Sequence, residues 1–206
     1  MPSYFTIAFE LIKKETVVAD FYNALISSNL TFKSGYWYDE NCDKNDIIKW
    51  NQDKLNSDFV LGMKEHVKND YKQILFNYYN FNEVRVFILN KKKSKTVMFF
   101  LIVPEDDLVS IQSNKNSEFV QNIDNMNLLI ELAVSMWNSI KIEAIQTEWE
   151  SSISPIQTSK NILNGKTPKA EPFCIVKKYK NMNYEAQMKD VGNNGILIIN
   201  ENGWNF

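Results

Sequence analysis

The sequence contains very few of the residues from which most catalytic sites are built. Its 206 residues include one histidine, His66, one arginine, Arg85, and two cysteines, Cys42 and Cys174. General acid and base catalysis near neutral pH most often uses histidine, and phosphate recognition favours the planar arginine side chain. No zinc ligand set and no nucleophile beside a base can be recognised. We therefore expect neither catalytic residues nor a bound metal or cofactor.

Excess basic charge and long apolar runs are also lacking. The formal net charge is −2, which disfavours binding to nucleic acid through a general basic field. The longest apolar run, from Thr96 to Pro104, is much shorter than the ~20 residues that a membrane helix needs. The N-terminus has no basic cluster followed by an apolar stretch, as a signal peptide would. These features predict a cytoplasmic protein with free thiols and with neither nucleic acid nor membrane as partner.

The chain does contain enough apolar material for one large core. Hydrophobic residues make up 44% of the sequence and aromatic residues 13%, and a domain of this length buries roughly 70% of the surface that its unfolded chain exposes. No flexible linker divides the chain. We predict a single α+β domain over residues 1–206, with a mixed, mainly antiparallel sheet and helices packed on it.

Hydrophobic periodicity places most of the elements. The predicted strands are Tyr4 to Leu11, Thr31 to Tyr38, Val84 to Leu89, Thr96 to Val103, Ile140 to Thr147, Phe173 to Tyr179 and Gly195 to Ile199. Four helices are predicted. The first begins at Glu15, the second runs from Asp46 to Leu55, the third from about Ser117 to Asn138, and a short fourth from Gln157 to Leu163. The segment from Asp58 to Tyr79 fits both a strand and a helix.

The clearest unit is a predicted hairpin in the middle of the chain. Its two strands flank the basic sequence Asn90 to Lys95, and the second strand is apolar at every position from Val97 to Val103. Such a continuous run is typical of a central strand that is covered on both faces. The lysines at the tip are either a solubilising turn or a contact for an acidic partner or nucleic acid.

One segment combines aromatic and acidic residues at the end of a predicted strand. It contains Trp37, followed by Asp39, Glu40, Asp43 and Asp46. In a binding protein, rigid aromatic side chains would anchor a partner and the carboxylates would steer a basic one. In the alternative interpretation alternate aromatic side chains pack inside and the loop is simply solvated. The spacing lacks the glycine and the twelfth-position glutamate of a calcium-binding loop.

The remaining candidates are weaker on sequence grounds. Glu143, Glu148 and Glu150 lie around Trp149 near a strand end, and His66 has Glu65 and Asp70 nearby. Acid and base chemistry would need such groups to converge on an apolar pocket. A small enzyme or ligand-binding domain that uses Glu148, Glu150 and His66 is therefore the alternative hypothesis. The Gly192 to Gly195 segment is predicted to be a hairpin turn, because no helix follows it to complete a phosphate-binding loop.

The end of the sequence resembles a known family. The stretch from Asp190 to Glu201, with its Gly-Asn-Asn-Gly turn and the apolar strand Ile196 to Ile199, is similar to the closing segment of bacterial polymorphic-toxin immunity proteins, in particular the type called immunity protein 52. The opening Phe5 to Glu10, the helix with Asp20-Phe21-Tyr22, and Gly35-Tyr36-Trp37 are compatible with the same layout.

The resemblance implies a cytoplasmic protein that binds and neutralises a cognate protein toxin and catalyses nothing itself. Immunity proteins differ in the surface that they use, so no binding residue can be transferred from the family. Our prediction of a partner-binding site at Trp37, Asp39, Glu40, Asp43 and Asp46 therefore rests on their residue types and positions.

Overall fold

The computed structural model describes residues 3–112, 118–179 and 187–200. In chain order the elements are β1 (Tyr4–Ile12), α1 (Val17–Ser27), β2 (Thr31–Gly35), α2 (Lys44–Asn56), β3 (Ile74–Asn77), β4 (Val84–Asn90), β5 (Thr96–Pro104), β6 (Val109–Gln112), β7 (Glu118–Gln121), α3 (Ile123–Ser139), β8 (Ala144–Glu148), α4 (Ser159–Leu163), β9 (Phe173–Lys177), β10 (Gln187–Gly192) and β11 (Gly195–Ile199). Short 3₁₀ turns span Trp37–Asp39, Val67–Asn69 and Glu105–Asp107.

A nine-stranded sheet organises this part of the chain. Its strand order is β10-β11-β9-β8-β1-β5-β4-β3-β2, and every neighbouring pair is antiparallel. β6 and β7 form a separate two-stranded ribbon. The predicted α+β domain, with helices packed on a mainly antiparallel sheet, is confirmed. None of the described helices is long and apolar enough to cross a membrane.

The main core lies between one face of the sheet and the three longer helices. Alternate residues of β1 and β5 point into it, and Phe9 and Phe99 are fully buried. Phe21 of α1 stacks on Phe99 with ring centroids 4.1 Å apart. A smaller cluster on the opposite face joins Ile162 of α4 to β8, β9 and β11. α4 and the segment before it therefore cover only one half of that second face.

The prediction that the strand from Val97 to Val103 is covered on both faces is wrong for the first half of its outer face. On that face Met98 and Phe100 are only partly buried, whereas Ile102 is 6% exposed. No described helix or strand covers the part of this face around Met98 and Phe100. The apolar run persists there because its side chains pair with those of β4: Phe100 stacks on Phe87 at 5.1 Å, and Met98 lies opposite Leu89.

Other boundaries differ from the sequence prediction for local reasons. The third helix begins at Ile123, where Asn122 caps it by accepting a hydrogen bond from the Asn125 backbone. Glu118–Gln121 before it forms β7, while Ser117, where the helix was predicted to begin, lies outside the described residues. The ambiguous segment from Asp58 to Tyr79 contains β3 and no α-helix.

The predicted hairpin turn near the C-terminus is present. It joins β10 to β11, and Asn193 and Asn194 have φ values of 46° and 60°. Two successive residues in this left-handed region are the mark of a tight hairpin turn, where asparagine is well tolerated. Glu201, at the end of the stretch that resembles immunity proteins, lies outside the described residues.

Candidate functional site: an exposed aromatic pair on a fixed turn

The turn that follows β2 presents two aromatic side chains to solvent. The predicted strand stops at Gly35, and a 3₁₀ turn takes the place of its last residues. Trp37 and Tyr38 are 64% and 51% exposed, and their rings stack at 18° with centroids 4.6 Å apart. We call these two side chains the aromatic pair. Neither side chain of the aromatic pair packs inside.

Close backbone packing fixes this turn. A Cβ atom on Gly35 would lie 2.0 Å from the carbonyl oxygen of Asp39, so only glycine fits without moving the chain. The Cys42 backbone donates a hydrogen bond of 2.9 Å to that same carbonyl, and the Tyr36 backbone donates one of 3.0 Å to Gln73. The aromatic pair therefore extends from a backbone that is held at several points.

Lys72 lies next to the turn and joins it to α2. Its Nζ is 2.9 Å from Asp39 Oδ1, 3.4 Å from Cys42 Sγ and 5.0 Å from the centre of the Trp50 ring. Burial alone would lower the pKa of Lys72, but its hydrogen bonds to Asp39 and Cys42 outweigh that effect and raise the pKa. Lys72 therefore stays charged and stabilises the Asp39 carboxylate at the turn.

Asn51 of α2 hydrogen-bonds the backbone of Lys72. Its side chain is fully buried, donates a hydrogen bond of 2.8 Å to the Lys72 carbonyl and accepts one of 2.7 Å from the Lys72 backbone N–H. These two bonds satisfy the backbone N–H and carbonyl of Lys72, just before β3, as a neighbouring strand would. α2 and the approach to β3 are thereby joined beneath the turn.

A second turn borders the aromatic pair. The His66 ring centre is 6.4 Å from that of Tyr38, and Lys68 Nζ is 4.6 Å from the Tyr38 ring centre. His66 accepts a hydrogen bond from the Lys68 backbone through Nδ1 and so caps the Val67–Asn69 turn. Val67 between them is 46% exposed. The exposed apolar surface around the pair thus includes residues from a loop thirty positions later in the chain.

The predicted acidic residues fall into two groups. Asp39 is paired with Lys72, and Asp43 caps α2 by accepting a hydrogen bond of 2.7 Å from the Asn45 backbone. Glu40 and Asp46 are exposed, and the described part of the chain provides no cation within ion-pair distance of either. Charge reversal at Asp39 or Asp43 would therefore remove a structural contact, whereas charge reversal at Glu40 or Asp46 would not.

Arg85, the only arginine, supports the other side of the same turn. Its guanidinium carbon is 4.3 Å from the Tyr36 ring centre and 5.1 Å from that of Tyr4, so it lies between two aromatic rings. Its Nε is also 3.3 Å from a carboxylate oxygen of Glu83. Such stacking is favourable and also orients the planar side chain. Arg85 therefore connects the start of β1 to the residue that precedes Trp37.

The alternative site, made of Glu148, Glu150 and His66, does not assemble. Glu148 and Glu150 line one groove on the second face of the sheet, but His66 is not among the residues around it. Glu148 forms an ion pair of 2.8 Å with Lys169, and Glu150 accepts a hydrogen bond of 2.9 Å from the Tyr4 backbone. Both carboxylates therefore have a structural role. Glu143 is likewise paired, with Lys177 at 2.5 Å.

Metal and thiol chemistry has no assembled site in the described ranges. No group of three histidine, cysteine or acidic side chains is arranged around a common point there. Cys42 and Cys174 are both free, and burial raises the pKa of the Cys174 thiol well above its ordinary value. Comparison of the chain with known protein families, curated proteins and solved structures gives no match.

Sequence reasoning found the aromatic pair's segment but missed its supports. Lys72, Asn51 and the His66–Lys68 turn lie 13 or more positions away in the chain from Tyr38, and no short-range pattern connects them. One signal was present: Gly35 directly precedes three aromatic residues, and a glycine at a strand end indicates a close backbone approach. That signal locates the turn but not the residues that hold it.

Proposed function

We propose that this protein is an immunity protein that binds a cognate bacterial toxin stoichiometrically in the cytoplasm, with the aromatic pair as its anchor. The observation that carries the proposal is the exposed, stacked Trp37–Tyr38 pair on a turn that is fixed from several sides. The resemblance of the C-terminal hairpin sequence to immunity proteins supplies the kind of partner.

Exposed aromatic side chains are costly to leave in water and valuable at an interface. Tryptophan and tyrosine are enriched among the residues that dominate binding energy, because they bury a large area and lose few rotatable bonds. Stacking already restricts the two rings, so binding them costs less conformational entropy. A partner that covers both rings therefore gains more than it would from flexible side chains of equal size.

The charges around the aromatic pair favour a basic partner. Glu40, Asp43 and Asp46 are exposed on the turn and on the first residues of α2. Exposed carboxylates beside an apolar anchor raise the rate of encounter with a basic surface. Lys68 and Lys72 lie close by and reduce the local negative charge, so the expected acceleration is modest.

The direct test looks for a toxin domain encoded by a gene adjacent to this one and uses it as the probe. We expect co-expression of this protein to restore growth of cells that produce the toxin domain, and calorimetric titration to give one protein bound per toxin domain. Trp37→Ala or Tyr38→Ala should weaken binding by about tenfold to a hundredfold, equivalent to about 1.4–2.7 kcal/mol. A neighbouring toxin that kills equally well in the presence of this protein would contradict the proposal.

The matched control is Tyr79→Ala. Tyr79 is 64% exposed, as Trp37 is, and also has a positive φ. It lies beyond the end of β3 that pairs with Thr31, whereas the aromatic pair follows the opposite end of β2. Tyr79→Ala should therefore leave toxin binding unchanged.

A further inference from the structure

The uncovered half of the second sheet face carries apolar side chains that the proposed toxin contact does not use. Leu89 and Ile12 are 46% and 44% exposed, and Met98, Phe87 and Phe100 are partly buried. We call these five side chains the open patch. A groove of about 290 Å³ separates the open patch from Pro155 and Ile156 of the segment before α4. Continuous exposed apolar surface of this kind marks a contact surface.

The ends of the open patch carry opposite charge. At one end is the β4–β5 turn with Lys91, Lys92, Lys93 and Lys95, all exposed, and no carboxylate of the described residues lies within ion-pair distance of their ammonium groups. At the other end, β5 runs into Glu105 and Asp106, and the Glu150 backbone donates a hydrogen bond of 2.9 Å to Glu105 Oε1. Burial, reinforced by the nearby Glu150 charge, raises the pKa of Glu105. Several carboxylates therefore lie close together at the acidic end.

We propose that the open patch pairs with the open patch of a second copy of this chain. Two identical sheet faces can pack about a two-fold axis that lies in the interface, either along the strands or across them. An axis along the strands would place lysine turn on lysine turn. An axis across the strands places the lysine turn of each copy on the acidic end of the other, so charge complementarity selects this arrangement.

The dimer is weak because the uncovered face is small. The three strands, β3 with four residues, β4 with seven and β5 with nine, are spaced about 4.8 Å apart and span at most roughly 14 Å by 30 Å. Even with both copies counted, this area is below that of standard stable interfaces, which bury about 1,600 Å². Self-association should therefore depend on concentration, and it should weaken as salt screens the contacts between the charged ends.

Sedimentation velocity over about 10 µM to about 1 mM protein, at low salt, tests this pairing. The wild type should pass from monomer to dimer across this range. Leu89→Asp should raise the dimer dissociation constant at least tenfold, because it places a carboxylate in the centre of an apolar contact. Met63→Asp is the matched control, since Met63 is fully exposed in the loop between α2 and β3, away from the open patch.

The salt dependence of the wild type tests the orientation, because pairing of lysine turn on lysine turn would strengthen rather than weaken as salt is added. A charge exchange tests whether the charged ends of the two copies meet at all. One variant carries Lys91→Glu and Lys92→Glu, and another carries Asp106→Lys and Glu150→Lys. Each variant alone should be monomeric, because both end contacts become repulsive, whereas an equimolar mixture should dimerise, because both contacts are again attractive. Circular dichroism checks that each variant folds.

Three results would overturn the proposal: a wild type that stays monomeric throughout the range, a dimer that Leu89→Asp leaves intact, or a mixture that stays monomeric. If the wild type is monomeric and Leu89→Asp instead abolishes binding of the toxin domain, the open patch belongs to that partner and self-pairing is wrong. The sedimentation measurements do not depend on whether the aromatic pair binds a toxin.

Discussion

Trp37 combines an unusual backbone conformation with an exposed side chain. Its φ of 57° lies in the left-handed region, which costs a bulky residue roughly 1–3 kcal/mol. A tryptophan that is 64% exposed recovers little of this cost by burial in the folded monomer. The Trp37 side chain therefore contributes little to the core and is accessible to a partner.

Removing the Trp37 side chain should hardly affect folding. Trp37→Ala loses the stacking with Tyr38 but no core contact, so the free energy of unfolding should change by about 1 kcal/mol or less. Urea unfolding, followed by circular dichroism, measures this. A buried tryptophan would cost about 3–5 kcal/mol, so a loss of that size would contradict the exposed placement.

The two groups of acidic residues should separate under mutation. Asp39→Asn removes the partner of Lys72, whose side chain is only 17% exposed, and should lower the free energy of unfolding by about 1–3 kcal/mol. Glu40→Lys with Asp46→Lys should leave stability within about 0.5 kcal/mol per site but slow association with a basic toxin at low salt. Stopped-flow association and urea unfolding measure the two effects. An equal effect of both variants on stability would remove the distinction.

At the scale of elements, α2 and β3 depend on one buried amide. Asn51→Ala leaves the Lys72 N–H and carbonyl without their partner in a partly buried site, which should lower the free energy of unfolding by about 2–3 kcal/mol. Asn45→Ala, on the exposed side of the same helix, is the control and should change stability by no more than about 0.5 kcal/mol. Because Lys72 also supports Asp39, Asn51→Ala should weaken toxin binding as well. Equal urea midpoints for Asn51→Ala and Asn45→Ala would contradict the role given to Asn51.

A second connection between elements should be sensitive to acid. Asp58 accepts hydrogen bonds from Lys13 Nζ at 2.7 Å, the Lys93 backbone at 2.7 Å and Asn90 Nδ2 at 3.2 Å, which joins β1 and the β4–β5 hairpin to the loop after α2. The hydrogen bond from Lys13 does most to hold the pKa of Asp58 well below its ordinary value, and those from the Lys93 backbone and Asn90 add to the effect. The stabilisation is therefore fully present above the unfolded-state pKa of about 3.9 and is lost as the pH falls from there toward the folded-state pKa.

Asp58→Asn should remove this pH dependence. The variant should be less stable than the wild type at pH 7, and should lose less stability between about pH 5 and about pH 2. Asparagine tolerates the φ of 53° at this position, so the backbone need not change. Asp53→Asn, exposed on α2, is the control. Acid unfolding curves of parallel slope for wild type and Asp58→Asn would contradict the assignment.

Local pattern predicted the elements whose boundaries are set by their own residues. The β4–β5 hairpin, α1 and the Asn193–Asn194 turn follow from alternation, helical spacing and turn residues. β3 was ambiguous because it is only four residues long, and its approach is defined by Asn51, twenty-one positions earlier. The sequence does not predict whether Trp37 is exposed, for a similar reason. The turn at Gly35 interrupts the strand alternation that would assign each aromatic side chain to one face of the sheet.

At the scale of the whole molecule, the two surfaces that we propose as contacts differ in chemistry. The aromatic pair lies by the β2 edge of the sheet, beside exposed carboxylates. The open patch lies on the sheet face across β4 and β5, between a basic and an acidic end. Because the two surfaces use different residues, a dimer formed through the open patch would leave the aromatic pair of each copy accessible. A dimer should therefore bind two toxin domains.

The central claim is that the aromatic pair anchors a protein toxin. Calorimetric titration of the neighbouring toxin domain into wild type, Trp37→Ala and Tyr79→Ala measures this most directly, with folding of each variant checked by circular dichroism. We predict one toxin domain per chain for the wild type, binding weakened at least tenfold by Trp37→Ala, and unchanged affinity for Tyr79→Ala. Equal affinity of the wild type and a folded Trp37→Ala variant, or no binding by the wild type, would contradict the account.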